Sequence, residues 1–268
     1  DSCLSSIDVS PFFVYTFHIL LQQERGVILK TEDKTLDKKA DTSEAFDILY
    51  PERFIKNTDY YNSLMMMYRC AIREIRTKLE VLDDEFSITY KRNPISSIKS
   101  RIKTPLSTYN KLQRLGYDFT EQNIREHLND VAGIRVICSF IDDIYSVAKL
   151  LSEQDDITIL RIKDYIQNPK PNGYRSYHMI VEIPVFFAEG KTPMRAEIQI
   201  RTIGMDFWAS LEHQLRYKKD LGSNEQYELI SRKLSECAHA ITATDNQMQD
   251  IKNLIGEYNE FWKELIPL

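Results

Sequence analysis

Two β-type runs, Ser176–Ile183 and Met194–Thr202, follow each other with no helical segment between them. A strand that returns directly to its neighbour makes an antiparallel pair, so a purely parallel, doubly wound sheet is excluded. Val131–Phe140 and Ile157–Lys163 read as further strands, with Asp142–Glu153 as a helix between them. From Tyr60 onward, Leu64, Met67, Tyr68, Ala71, Ile72, Ile75, Leu79 and Leu82 recur at spacings of three and four, the signature of an amphipathic helix. Asp206–Lys219 and Glu225–Trp262 read as helices after the last strand. Asn93-Pro94 reads as a helix start, and no strand is assigned between it and residue 114. The expectation is an α/β (α+β) fold: a mixed sheet flanked by helices, with long helices at both ends.

The 268 residues suit one large domain with appendages, and 43% hydrophobic with 28% charged residues excludes a wholly disordered chain. Residues 1–55 lack sustained periodicity and are expected to form an arm. A net charge of −5 argues against a general polyanion binder, so any anion site must be local. One such place exists: Lys91, Arg92, Lys99, Arg101, Lys103, Lys111 and Arg114 fall in a stretch with no acidic residue. Cys3, Cys70, Cys138 and Cys237 form no metal-ligating pair or disulfide framework, and are expected to act as small hydrophobes in a reducing compartment. No apolar run reaches the roughly 20 residues that span a bilayer. A cytoplasmic location with no membrane contact is expected.

The eight glycines form neither a dinucleotide fingerprint nor a P-loop, so phosphates, if bound, must be held by side chains and metal. In the run Arg195–Thr202, strict alternation puts Ala196, Ile198 and Ile200 on one face and Arg195, Glu197, Gln199 and Arg201 on the other. A solvated sheet face would look the same, but three other places carry functional groups. Asn129-Asp-Val-Ala-Gly-Ile-Arg135 sets a carboxylate at the mouth of an apolar strand, with Gly133 allowing close backbone approach. The Pro-braced loop Asn168–His178 displays Lys170, Tyr174, Arg175 and His178. Asp206, Glu212 and His213 share a helix whose Phe207, Trp208, Leu211 and Leu215 supply its packing side.

Taken together, Asp130–Arg135, Asn168–His178, Glu197–Thr202 and Met205–His213 resemble four co-linear motifs of the RelA/SpoT-homologue synthetase domain, over roughly residues 60 to 250. The short chain looks like the family's small alarmone synthetases. The resemblance implies a nucleotidyltransferase-like fold and transfer of the ATP β,γ-pyrophosphoryl group to the 3′-hydroxyl of GDP or GTP, giving (p)ppGpp and AMP. It implies a synthetase domain over 56–222 and a helical oligomerisation segment over 223–268. Arg101 and Lys103 match ATP-side ligands, with Arg101 and Arg135 flanking the adenine. Asp130 and Glu197 match the magnesium-binding carboxylates, Glu197 being also the candidate base. Tyr174 matches the tyrosine that stacks on guanine, and Lys170, Gln199, Asp206 and His213 the remaining acceptor contacts; some small members carry Asn where Asp206 stands. Arg161-Ile-Lys-Asp164 resembles the basic version of a family motif linked to acceptor preference. With no His-Asp dipeptide for the family's hydrolase chemistry, the expectation is synthesis alone.

The physics asks for the same parts. Like charges about 4 Å apart repel by roughly 4 kcal/mol at an effective dielectric near 20, so two polyphosphates in one cleft need a cationic wall and magnesium. Two other readings keep part of this picture: pyrophosphate transfer to tRNA or adenine nucleotides, and a non-catalytic RNA-binding module built on the basic stretch. In the last helix, Ile230, Leu234, Cys237, Ile241, Thr244, Met248, Ile251, Ile255, Tyr258 and Trp262 alternate spacings of four and three, a heptad seam. Part of it is expected to lie along the Leu64–Leu82 stripe and the rest to pair between subunits in a homo-oligomer, a tetramer by family resemblance.

Overall fold

The computed structural model describes residues 58–217 and 224–265; the expected arm 1–55 and Lys219 lie outside the described residues. Five strands form one sheet in the order β1-β2-β5-β4-β3. They are β1 Ile95–Ile102, β2 Ala132–Cys138, β3 Thr158–Asp164, β4 Tyr177–Phe187 and β5 Gly190–Thr202. β4 and β5 form the antiparallel hairpin that the adjacent β-runs require, from Tyr177 opposite Ile200 to Phe187 opposite Gly190. β2 and β5 run parallel, and the other pairings are antiparallel, so the sheet is mixed as expected.

Helix α1 (Thr58–Tyr90) follows the three-four periodicity: Leu64, Tyr68, Ala71, Ile75 and Leu79 are at most 2% exposed and join the core with Ile134, Val136, Met179, Val181, Ile198 and Ile200. Burial of a Leu or Ile side chain contributes ~1.5–3 kcal/mol, so this stripe holds the helix on the sheet. Two short helices lie between β1 and β2. α2 (Pro105–Leu115) is capped by the Thr104 hydroxyl, which accepts from Ser107 N, and stops at Gly116, whose φ of 82° suits glycine. α3 (Glu121–His127) is capped by Thr120 in the same way. α4 (Ile141–Ser152) buries Ile144, Val147, Ala148 and Leu151 against the same core.

The helix start expected at Asn93-Pro94 is wrong: Pro94 leads into β1. Ile95, Ile98 and Ile102 carry helix-like spacing because a register shift between Ile95 and Ser97 breaks the alternation of this strand.

After β5 the chain turns into α5 (Ile203–Tyr217), and α6 (Asn224–Leu265) packs back on α5 and α4. The face α6 turns inward is small and polar: Ala238, Thr242, Asp245, Gln249 and Lys252. Trp208 Nε1 donates to Leu234 O at 2.9 Å, and Lys252 pairs with Asp142 at 2.5 Å and Asp143 at 3.2 Å. The heptad seam lies roughly a quarter turn round the helix from that face. Its Leu234 and Ile241 are half-buried, whereas Cys237, Thr244, Met248, Ile251 and Ile255 are exposed; the side chains of Tyr258 and Trp262 lie outside the described residues. The seam therefore does not use the Leu64–Leu82 stripe, which is spent on the sheet. Cys138 is buried, as expected of a small hydrophobe, but Cys237 is exposed. Among the described residues, no helix is long and apolar enough to cross a membrane.

Candidate functional site

Strand parity builds the floor of a cleft on the sheet face opposite α1. Ala196, Ile198 and Ile200 point into the core, so Glu197, Gln199 and Arg201 must point the other way. Register then brings partners alongside: Gly133 stands opposite Glu197 and Arg135 opposite Gln199 on β2, Arg101 opposite Gly133 and Lys99 opposite Arg135 on β1, and His178 opposite Gln199 on β4. A cleft of about 250 Å³ is lined by Lys99, Arg101, Asp130, Arg135, Glu197 and Gln199, together with Gly133. A Cβ on Gly133 would meet Arg101 Cγ at an ordinary 3.6 Å, so packing alone does not force glycine there.

Each carboxylate in the cleft is met by its own cations or donors. Asp130, in the neck before β2, is paired with Lys111 at 2.8 Å and Lys103 at 3.1 Å. Burial pushes its carboxyl up, but Lys111 and Lys103 outweigh burial and hold it below the usual range. Glu197 lies just past the middle of β5, with His178 Nδ1 at 3.2 Å from Oε1 and Gln199 Nε2 donating to Oε2 at 2.9 Å. Burial again pushes up, His178 and Gln199 pull further down, and the negative charge of Asp130 pushes back, which brings the two carboxylates within electrical reach of each other. Asp206, at the start of α5, accepts from Lys99 at 3.0 Å, Arg135 at 3.0 Å and Arg201 at 3.4 Å.

Beside the cleft, buried Arg201 organises a second group. Its Nη2 donates to the Tyr174 hydroxyl at 2.6 Å and to Gln199 Oε1 at 2.9 Å, and its Nε donates to Ser176 Oγ at 3.2 Å. The Tyr174 oxygen is also 2.8 Å from His178 Nε2. Because a guanidinium can only donate, the Tyr174 oxygen accepts from Arg201 and its O–H can point to Nε2, leaving Nδ1–H to donate to Glu197. Tyr174 is thus tied by a chain of two hydrogen bonds to Glu197. Lys170 Nζ lies 4.8 Å from the Tyr165 and Tyr174 ring centroids.

The fold gathers Arg101, Asp130, Arg135, Glu197 and Gln199 in one cleft, with Lys103 on Asp130, and Tyr174, Lys170 and Asp206 beside it. His213 is exposed on α5, two turns beyond Asp206, and does not line the cleft. The basic stretch divides: Lys99, Arg101, Lys103 and Lys111 serve the cleft, whereas Arg92 is committed to Asp143 at 2.5 Å. Arg175, expected on the displayed side of its loop, instead pairs with α6. Sequence alone places Lys99 and Lys111 in the basic stretch, His178 on the displayed loop and Arg201 on the functional strand face, but gives none of the four a role in the site. Lys99 and Arg101 share a face of β1 two residues apart, a signal hidden once that strand is not recognised.

No group of three or more His, Cys, Asp or Glu side chains is placed to hold a metal among the described residues. Magnesium does not need one, since it is bound through one or two carboxylates plus substrate phosphates and water. Asp130 and Glu197 on one cleft wall, oxygen donors both, fit that requirement.

Residues 100–222 match the model described as a region found in RelA / SpoT proteins. Over 194 residues the chain is 44% identical to GTP pyrophosphokinase YwaC of Bacillus subtilis, covering 72% of this chain and 90% of that protein. It is 33% identical over 197 residues to GTP pyrophosphokinase YjbM of the same organism, covering 74% and 90%. Among solved structures it is similar to small alarmone synthetase 2 from Bacillus subtilis, with a TM-score of 0.64 and 42% identity over 72% of this chain and 98% of the other. Small alarmone synthetase 1 from Bacillus subtilis bound to its product pppGpp gives a TM-score of 0.66 at 31% identity, over 73% and 98%.

Proposed function

This chain belongs to the RelA/SpoT family, and from that premise we propose that it is a (p)ppGpp synthetase: it transfers the β,γ-pyrophosphoryl group of ATP to the 3′-hydroxyl of GDP or GTP and releases AMP. What supports this most directly is the meeting of Asp130 and Glu197 across the parallel β2–β5 seam, in a cleft walled by Lys99, Arg101 and Arg135 and joined through His178 to Tyr174. Glu197 takes the proton of the 3′-hydroxyl as the new bond to the β-phosphorus forms and the bond from that phosphorus to the α-phosphate bridge breaks. Arg101 and Arg135 flank the adenine, and Lys103 serves the phosphates. Tyr174 stacks on guanine, with Lys170, Gln199, Asp206 and His213 as further acceptor contacts. Asp130 and Glu197 would hold magnesium, which when bound spreads the charge developing on the transferred phosphoryl oxygens.

The unit that does this is 56–222, acting by synthesis alone in the cytoplasm, in a bacterial stress response. Residues 223–268 carry the assembly surface: the exposed flank of α6, with Met248, Ile251 and Ile255, pairs copies into a closed homo-oligomer, a tetramer. Thin-layer separation of products from labelled ATP with GDP, GTP, uncharged tRNA or AMP as acceptor tests the activity. Pyrophosphorylated guanine nucleotide supports it. Transfer only to tRNA or AMP would overturn the acceptor, and salt-sensitive RNA binding without any transfer would make the chain an RNA-binding module.

A further inference from the structure

The loop that carries Tyr174 rests on the C-terminal helix. Within the loop, Gly173 N donates to Lys170 O at 2.8 Å and Lys170 N to Tyr174 O at 3.1 Å, a closed turn made possible by a φ of +86° at Gly173. A Cβ on Gly173 would overlap the Ala238 methyl of α6, so the turn and the helix touch backbone to side chain. Tyr174 packs against the small cluster of Trp208, Ala209 and Ala238 with Leu234 and Ile241. The next residue, Arg175, donates through Nη1 to Thr242 Oγ1 at 3.0 Å and pairs with Asp245 at 3.7 Å, their side chains 10% and 12% exposed. Asp245 also accepts from Thr202 Oγ1 at 2.8 Å, and Thr202 caps α5 through Met205 N at 3.0 Å. One carboxylate of α6 thus fastens both the acceptor loop and the start of the helix that carries Asp206.

Among the described residues, α6 makes no direct hydrogen bond to the ATP half and reaches it only at one remove, through Thr202 and the start of α5, whose Asp206 meets Arg135. Lys103 and Lys111 are paired with Asp130, and β1 is hydrogen-bonded to β2, while the packing of α6 is on α5 and α4. Burial disfavours the charged form of both partners, pushing Asp245 up and Arg175 down, so neither charge is comfortable without the other.

We infer that the Arg175–Asp245 pair is a latch through which α6 positions the Tyr174 loop, so that the seat of α6 sets affinity for the acceptor nucleotide without setting affinity for ATP. Arg175 and Asp245 are positioning residues that touch neither nucleotide. The inference rests on the synthetase reading, in which Tyr174 faces the acceptor.

The test is a cycle of Arg175→Met, Asp245→Asn and the double variant, with steady-state KM for GDP and for ATP measured separately and amide hydrogen exchange followed over 168–178. Each single variant should raise the GDP KM about tenfold and leave the ATP KM within about twofold, and the double variant should be no worse than the poorer single, because the two act as one unit. Thr242→Val removes only the hydroxyl that Arg175 meets; it keeps the question open to test if the charge variants fail to fold, and should raise the GDP KM about threefold. Equal rises in both KM values, or falling kcat with both KM values unchanged, would mean a merely structural pair and overturn the latch. If the wild-type protein transfers nothing to GDP, the synthetase reading fails, and the latch is judged by exchange: faster exchange at Lys170 and Gly173 in Asp245→Asn supports it, and unchanged exchange overturns it.

Discussion

Asp206→Ala removes the one carboxylate that meets Lys99, Arg135 and Arg201 together, at 3.0, 3.0 and 3.4 Å. At an effective dielectric near 20, each contact is a gross attraction of about 5 kcal/mol. The three do not count equally. The Lys99 side chain is 60% exposed and water replaces most of its partner, whereas that of Arg201 is 4% exposed and meets almost no water. Breaking a buried pair by removing one partner costs about 3–5 kcal/mol, because the remaining charge stays buried. For a folded unit of this size, where 1 kcal/mol corresponds to roughly 2–4 °C, Tm should fall by about 6–20 °C. Asp206→Asn, which keeps an acceptor oxygen, should fall by less. The acid behaviour has a definite sign: burial pushes the Asp206 carboxyl up, but Lys99, Arg135 and Arg201 outweigh burial and hold it below its ordinary 3.8. Its contribution is therefore complete above that value and is lost as pH falls through the lowered one, and Asp206→Ala should flatten the stability profile in that range. Inorganic pyrophosphate, offered to the vacated cations, should raise the Tm of Asp206→Ala more than that of wild type. Thermal unfolding followed by intrinsic fluorescence reads all of this. A Tm within 2 °C of wild type (the smallest shift that ~1 kcal/mol would give), with no larger response to pyrophosphate, would show that the three cations do not depend on Asp206.

Glu197→Gln keeps shape but removes the carboxylate proposed as base and magnesium ligand, so synthesis should fall about 10²–10⁴-fold with the fold intact; retention of more than about a tenth of wild-type turnover in the product assay would contradict the role. Tyr174→Ala should weaken GDP by about 1–3 kcal/mol while ATP is little changed, read as separate KM values. Tyr174→Phe is no mild change, since its hydroxyl accepts from Arg201 at 2.6 Å: loss of a hydrogen bond to a charged group should cost about 1.5–3 kcal/mol of stability, and an unchanged Tm would refute that. Met248→Asp with Ile251→Asp, each 49% exposed, should dissociate the proposed homo-oligomer at ~1.5–3 kcal/mol per side chain, as light scattering would show; a wild-type protein already monomeric at micromolar concentration would sink the seam as an interface.

The hairpin β4–β5 was legible because every second residue of 195–201 is apolar and the partner strand is adjacent in sequence. β1 was not, because its bulge puts Ile95 and Ile98 on helix-like spacing and, at the sheet edge, only one neighbour constrains it. The motifs named Asp130, Glu197 and Tyr174 but not the links between them: His178 joins Tyr174 to Glu197 through register with β5, a relation no spacing within one motif records. Arg175 sits among ligand-like neighbours in sequence, yet a long side chain can turn to either side of a loop, and the carboxylate that draws it lies 70 residues later. The heptads of α6 were readable as a seam, but its inward face is made of Ala238, Thr242, Asp245 and Gln249, residues that a search for apolar periodicity passes over.

The parallel pairing of β2 with β5 also governs the order in which this molecule can be born. Ala132 pairs with Ala196, 64 positions later, while β4 meets β5 across a tight turn. Closure of the longer loop carries the greater entropy cost and belongs late in folding. Before it closes, Asp130 belongs to one half of the chain and Glu197 to the other. A nascent polypeptide emerging from the ribosome therefore holds no complete cleft until residue 202 is out and the seam has zipped, and a chain stalled or cleaved short of β5 cannot consume nucleotide.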